Sequence, residues 1–121
     1  MDHLRGDEPV TLGEGFTPLF HAAALGRTLG VDRLYVKDES LNPTNSFKAR
    51  GQSAAITRAK YLGTDTIALP TAGNAANAAA AYAAAAGLRC EVFMPRDVKP
   101  PSVGECRLYG ARVTLAVGLI T

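Results

Sequence analysis

The chain has 121 residues, of which 47% are hydrophobic, 20% charged and 7% aromatic, with a formal charge of +2. That length holds one compact domain, and the composition excludes a disordered tail, a collagen-like repeat and a disulfide-stapled mini-protein. Thirteen Lys+Arg against eleven Asp+Glu, spread along the chain, form no basic stripe for nucleic acid. The opening Met1-Asp2-His3-Leu4-Arg5 has no apolar stretch of the kind a secretion signal carries. Gly13-Glu14-Gly15-Phe16-Thr17-Pro18-Leu19 has the punctuation of a loop. His21 to Leu29 makes a short helix closed by Gly30. Arg33 to Lys37 is a strand that leads through Asp38-Glu39-Ser40 into a turn around Asn42-Pro43-Thr44-Asn45. Ser46 is a natural N-cap for a helix from Phe47 to about Leu62, stopped by Gly63.

The pattern then repeats. Thr66 to Leu69 is a strand, Pro70-Thr71-Ala72-Gly73 a tight turn, and Asn74 caps a helix that ends near Gly87. Its alanine run, Ala75 to Ala86, is too short and too weakly apolar to cross a bilayer. Arg89 to Met94 is the next strand, ended by Pro95. A helix begins near Pro101, contains Gly104 and ends before Gly110, and Ala111 to Val117 is the last strand. Strict alternation with connections too long for hairpins predicts an α/β domain. Its expected form is an open parallel sheet of about four strands with right-handed crossover helices. Residues 1–30 form an N-terminal arm with its short helix, and residues 31–121 the α/β domain. Only Gly118-Leu119-Ile120-Thr121 follow the last strand, so the chain is expected to be a fragment. Twenty-one alanines among the hydrophobic residues predict a core built by close approach of elements rather than by interdigitated large side chains.

Ligands of an open parallel sheet bind where loops enter helix N-termini, beyond the carboxyl ends of the strands. Two loops qualify, Asn42 to Lys48 and Pro70 to Asn74. Lys48 falls in the first helical turn, where the partial positive charge of the helix end disfavours a cation by up to about 1 kcal/mol. That field favours the neutral amine needed to attack an aldehyde; the alternative is a solvated surface lysine that tolerates the penalty. At the second loop, Gly73 frees the backbone to turn sharply. The amides of Asn74, Ala75 and Ala76 then face out of a helix end with no acidic side chain, a place for a carboxylate or phosphate. Asn74 either caps this helix or turns its amide to a ligand hydroxyl.

Other residues carry less. His3 and His21 have no carboxylate or cysteine at ligand spacing. Asp38 and Glu39, as strand neighbours, point to opposite faces. Cys90 and Cys106 lack metal spacing and read as two reduced, buried thiols of a cytoplasmic protein. Neither a GxGxxG nor a GxxxxGK[ST] motif is present.

Four segments together resemble a known family. They are Leu12 to Leu19, Tyr35 to Gly51 (including Asn42-Pro43-Thr44-Asn45-Ser46-Phe47-Lys48), Pro70 to Ala76, and Val92-Phe93-Met94-Pro95. In this order they resemble the amino-terminal part of the threonine synthases, in the tryptophan-synthase-β-like class of fold-type-II pyridoxal-phosphate enzymes. The resemblance implies that the cofactor is pyridoxal 5'-phosphate, that Lys48 holds it as a Schiff base and shuttles protons, and that Phe47 lies beside its ring. It implies that Asn74 bonds its 3-hydroxyl, and that Thr71, Ala72, Gly73, Asn74 and Ala75 hold the substrate α-carboxylate. The implied reaction is a lyase-type conversion of O-phospho-L-homoserine and water to L-threonine and phosphate. The substrate would be a small amino acid, with no nucleic acid or membrane as partner; a homodimer formed through the unsupported sheet edge is one assembly open to the chain. A threonine or serine dehydratase shares the lysine and the Gly-Asn turn and is the nearest alternative. A non-catalytic oligomerisation module of the same lineage is another. Asn45 stands where the family usually has glycine, so a positive φ there would be least costly for asparagine. Ala49 stands where many members carry aspartate. The family's glycine-rich phosphate loop is expected outside this chain, which alone is expected to be inactive.

Overall fold

The computed structural model describes residues 8–118. Five strands and four α-helices follow in the order β1 (Leu19–His21), α1 (Ala23–Leu29), β2 (Tyr35–Lys37), α2 (Lys48–Tyr61), β3 (Thr66–Pro70), α3 (Asn74–Ala86), β4 (Arg89–Pro95), α4 (Pro100–Leu108) and β5 (Arg112–Ala116). Short 3₁₀ turns at Glu39–Leu41 and Pro43–Asn45 join β2 to α2. The parallel sheet has the order β3-β4-β5, with Thr66 beside Arg89 and Glu91 beside Arg112 at its start. The expected parallel α/β sheet is therefore present, but with three strands rather than about four.

The strand that leaves it is β2. It pairs antiparallel with β1, Leu19 opposite Lys37 and His21 opposite Tyr35, in a separate two-stranded ribbon. The segment around Leu19 reads as a loop because its glycines and Pro18 dominate the pattern, and His21 reads as a helix start. Cross-strand pairing overrides both: the His21 and Tyr35 rings stack at 5.0 Å. Helix α1 accordingly begins at Ala23 and ends on Gly30 in the left-handed conformation (φ 69°), as its sequence predicts. Gly26 in this helix is fixed by close approach, because a Cβ there would lie 2.6 Å from the Val31 carbonyl oxygen.

Helix α3 is the centre of the fold. Alanine has the highest helix propensity, and Gly87 (φ 73°) terminates the run by donating to the Ala83 and Ala84 carbonyls. Residues Ala76 to Ala83 are all buried, and α3 touches α2, α4, β3 and β4. Methyl side chains let these neighbours come close, as the alanine content implies. The larger core residues are Tyr82, Ile56, Met94, Val92 and Cys106. Cys90 and Cys106 are both free and buried, as expected. No helix among the described residues is long and apolar enough to cross a membrane.

Topology sets where the helix heads lie. The crossover helix α3 starts at the carboxyl edge of the sheet, and α2 ends just before β3 begins while packing along α3. Both helices thus run from the carboxyl edge to the amino edge, and their N-termini open on the same edge.

Candidate functional site

Helix α2 starts one residue later than its sequence suggests. Phe47 is the N-cap position, and the Ser46 hydroxyl, on extended backbone, accepts from the Lys48 N–H at 3.3 Å. Lys48 is therefore the first helical residue, with Arg50 two positions on and no acidic residue in the turn. Lys48 and Phe47 are both exposed, and Lys48 Nζ sits 4.5 Å over the Phe47 ring. The cation lies on the aromatic face in the usual sense. The turn that delivers them is strained: Thr44 and Asn45 have φ of 58° and 53°. Asn45 thus occupies the left-handed conformation that its replacement of glycine implies. Ala49 is fully buried, a position where a carboxylate would be costly.

A dense polar network surrounds this turn. The Glu39 carboxylate accepts from Arg50 Nε (2.6 Å) and Nη2 (2.9 Å), from the Thr17 hydroxyl (2.7 Å) and from Asn42 Nδ2 (2.9 Å). Arg50, foremost, with Thr17 and Asn42 holds the Glu39 carboxyl down at about 2. Asn42, buried, accepts the Gly15 N–H at 3.0 Å. Asp38 accepts from the Ser40 N–H at 3.0 Å and caps the first 3₁₀ turn. Asp38 and Glu39 therefore do not act as an alternating strand pair; they start a tight turn. Glu39 and Arg50 are the residues that reading by motif missed. Their signal was an acid eleven positions before a cation-rich helix start.

At the second loop, Gly73 and not Asn74 is the N-cap of α3, and no side chain caps the helix. Asn74 is the first helical residue, exposed, and its side-chain amide has no partner among the described residues. Of the three amides expected to be free, Ala76 N–H is bound to the Gly73 carbonyl at 2.8 Å. Those of Asn74 and Ala75 have no hydrogen-bond partner among the described residues. Thr71 N–H bonds the Phe93 carbonyl (3.0 Å), and the Thr71 hydroxyl accepts from Gly73 N–H (3.4 Å). Gly73 has an extended φ of 173°, and a Cβ there would meet nothing within 4 Å. With ψ at −120° the chain bends here into α3, and no neighbouring atom crowds the position. The space beside Ala72 and Gly73 is open to an approaching molecule.

Lys48 and Asn74 thus head two helices that open on one edge of the sheet, each exposed. A groove lies elsewhere, on the outer face of α2 among Pro9, Arg50, Ser53, Thr57 and Tyr61. His21 takes part in the ribbon stack, and His3 lies outside the described residues. No cluster of three or more metal-ligating side chains occurs among the described residues.

The chain is similar to known proteins. The family described as "Pyridoxal-phosphate dependent enzyme" matches residues 10–119. Threonine synthase of Methanosarcina acetivorans is 42% identical over 107 residues, covering 88% of this chain and 26% of the relative. Threonine synthase of Synechocystis sp. is 46% identical over 106 residues, covering 86% and 28%. The matched part is the N-terminal portion of these proteins, and the chain spans about a quarter of their length. Among solved structures, a pyridoxal 5'-phosphate-dependent aspartate racemase superposes with a TM-score of 0.77 at 30% identity, over 84% of this chain and 32% of that one. The O-acetylserine dependent cystathionine beta-synthase from Helicobacter pylori superposes at 0.74 and 29% identity, over 85% and 35%.

Proposed function

Since this chain belongs to the pyridoxal-phosphate dependent enzyme family, we propose that it supplies the lysine-bearing part of a threonine synthase-like lyase. The observation that carries the reading is the gradient of similarity: 42–46% identity to these threonine synthases, against 29–30% to the two family structures of other chemistry. The family's cofactor is pyridoxal 5'-phosphate. The residues present fit it. They offer an exposed primary amine, an adjacent aromatic ring, two backbone amides and an asparagine amide without partners among the described residues, and open space beside a glycine.

When bound, the cofactor supplies an electron sink for negative charge developing at the substrate α- and β-carbons. Lys48 would hold the cofactor through its amine, and its Nζ would take and return protons at those carbons. Phe47 would lie beside the ring. Asn74 would donate to the cofactor's 3-hydroxyl oxygen, and the Thr71-Ala72-Gly73-Asn74-Ala75 turn would take the substrate α-carboxylate on its amides. The overall change in this reading is O-phospho-L-homoserine and water to L-threonine and phosphate. It is a cytoplasmic reaction on a small amino-acid substrate, consistent with two free thiols. The 121 residues contain no glycine-rich phosphate loop, so the complete reaction is assigned to the longer relatives' architecture.

Reductive trapping tests the reading. The chain is incubated with pyridoxal phosphate, reduced with borohydride, digested and mapped by mass. Label is expected to concentrate on Lys48 over Lys37, Lys60 and Lys99, and Lys48→Ala is expected to abolish the selective site. Label spread evenly over these lysines would overturn the proposal.

A further inference from the structure

Helix α2 begins with a cation at its first and third positions and no acid in its first turn, the reverse of what a helix dipole favours. The missing carboxylate comes from Glu39, eleven residues upstream, on a bidentate Arg50 fork. The same carboxylate holds Thr17 and Asn42, and Asn42 in turn holds Gly15. Between the two ends of this clamp lie Thr44 and Asn45, both at positive φ, and then Lys48. Side chains in that conformation are strained and persist only where the surroundings over-determine them. Thr44 is β-branched, so it gains least from staying there. The clamp is the structure that ties down both flanks of this strained turn.

We infer that Glu39 and Arg50 are positioning residues, which aim the Lys48 amine by holding the Pro43–Asn45 turn in its left-handed form. The inference rests on the reading of Lys48 as the cofactor-binding lysine. With the clamp opened, Thr44 and Asn45 relax to ordinary φ, and Lys48 leaves the helix head along a different direction. Lys60, at the far end of α2, is untouched by this change and serves as an internal reference.

The test is the rate of borohydride-trapped labelling with pyridoxal phosphate, followed at Lys48 and Lys60 in the full chain. Glu39→Gln keeps the shape of the side chain and removes its charge. Arg50→Lys keeps the charge and removes the fork. Each is expected to lower the Lys48 rate at saturating pyridoxal phosphate about tenfold. The half-saturating concentration and the Lys60 rate are expected to stay within about twofold. Thr44→Gly added to Glu39→Gln is expected to restore part of the rate, because glycine takes a positive φ without strain and the turn then depends less on the clamp; a double variant no faster than Glu39→Gln would count against the turn as the link. Circular dichroism confirms that each variant is folded, and where Glu39→Gln does not fold, Arg50→Lys alone decides. Retention of the wild-type Lys48 rate in a folded variant, or an equal change at Lys48 and Lys60, overturns the inference. Absence of selective Lys48 labelling in the unmodified chain is a separate result, which defeats the functional reading and the inference with it.

Discussion

Removing one hydroxyl from the middle of the core tests how the N-terminal loop is attached. Tyr82 is fully buried on α3, and its phenol donates to the Glu14 carboxylate, 68 residues away in sequence. Glu14 also accepts from the Thr11 hydroxyl and the Leu12 N–H, each at 3.0 Å. Burial alone would raise the Glu14 carboxyl, yet these donors outweigh it. The neighbouring Ser53 and Tyr82 hydroxyls act most strongly, and together these donors hold the carboxyl down at about 2. Burial, reinforced by Glu14, pushes the Tyr82 phenol up in turn.

Tyr82→Phe keeps the packed ring and deletes only the donor. A hydrogen bond to a charged group contributes about 1.5–3 kcal/mol. Because Glu14 keeps its other donors and is partly solvated, the expected loss is roughly 1–2 kcal/mol. In a chain this size that lowers the thermal midpoint by roughly 5 °C. Urea titrations of wild type, Tyr82→Phe, Glu14→Gln and the double variant should give a coupling of about 1 kcal/mol. The pH dependence has a fixed sign. A carboxyl depressed from 4.5 to about 2 contributes stability that is fully present above about 4.5 and is lost as pH falls through about 2. The Tyr82→Phe penalty should therefore be constant near neutrality and shrink in acid over that window. A coupling within about 0.3 kcal/mol of zero, or a penalty unchanged by acid, refutes the reasoning.

Two further outcomes follow from packing. Gly26→Ala drives a Cβ onto the Val31 carbonyl and should cost about 1–3 kcal/mol. Gly104→Ala, where a Cβ meets nothing within 4 Å inside α4, should stabilise by up to about 1 kcal/mol; scanning calorimetry of the two variants checks the opposite signs. The Cys90 and Cys106 thiols, raised to about 11 chiefly by burial, should resist iodoacetamide at mildly alkaline pH in the native chain. Both should react on addition of denaturant. A cysteine alkylated equally fast in both states would contradict its buried placement.

The readable parts of this molecule are those governed by local rules. The glycines at 30 and 87 end helices in the left-handed conformation, the alanine run becomes the buried α3, and Lys48 falls in the first turn of its helix. Asn45 was legible through its substitution for glycine. What local rules cannot show is pairing across long separations. The three residues Leu19–His21 become a strand only because Tyr35–Lys37 lies beside them, which takes β2 out of the parallel sheet. Likewise, Glu39 looks like half of an adjacent acid pair until the chain folds back and sets it on Arg50. At the second loop, the propensity of asparagine for caps pointed to Asn74. Gly73 is the N-cap instead, and the Asn74 side-chain amide has no partner among the described residues.

The alanine character of α3 also bears on motion. A methyl group has no rotamers to exchange, so a helix seam lined with them has few alternative packings to switch between. Lys48 and Asn74 head two helices joined along such a seam. Under the proposed function, the two would meet a bound molecule from helices packed on one another rather than from separate loops.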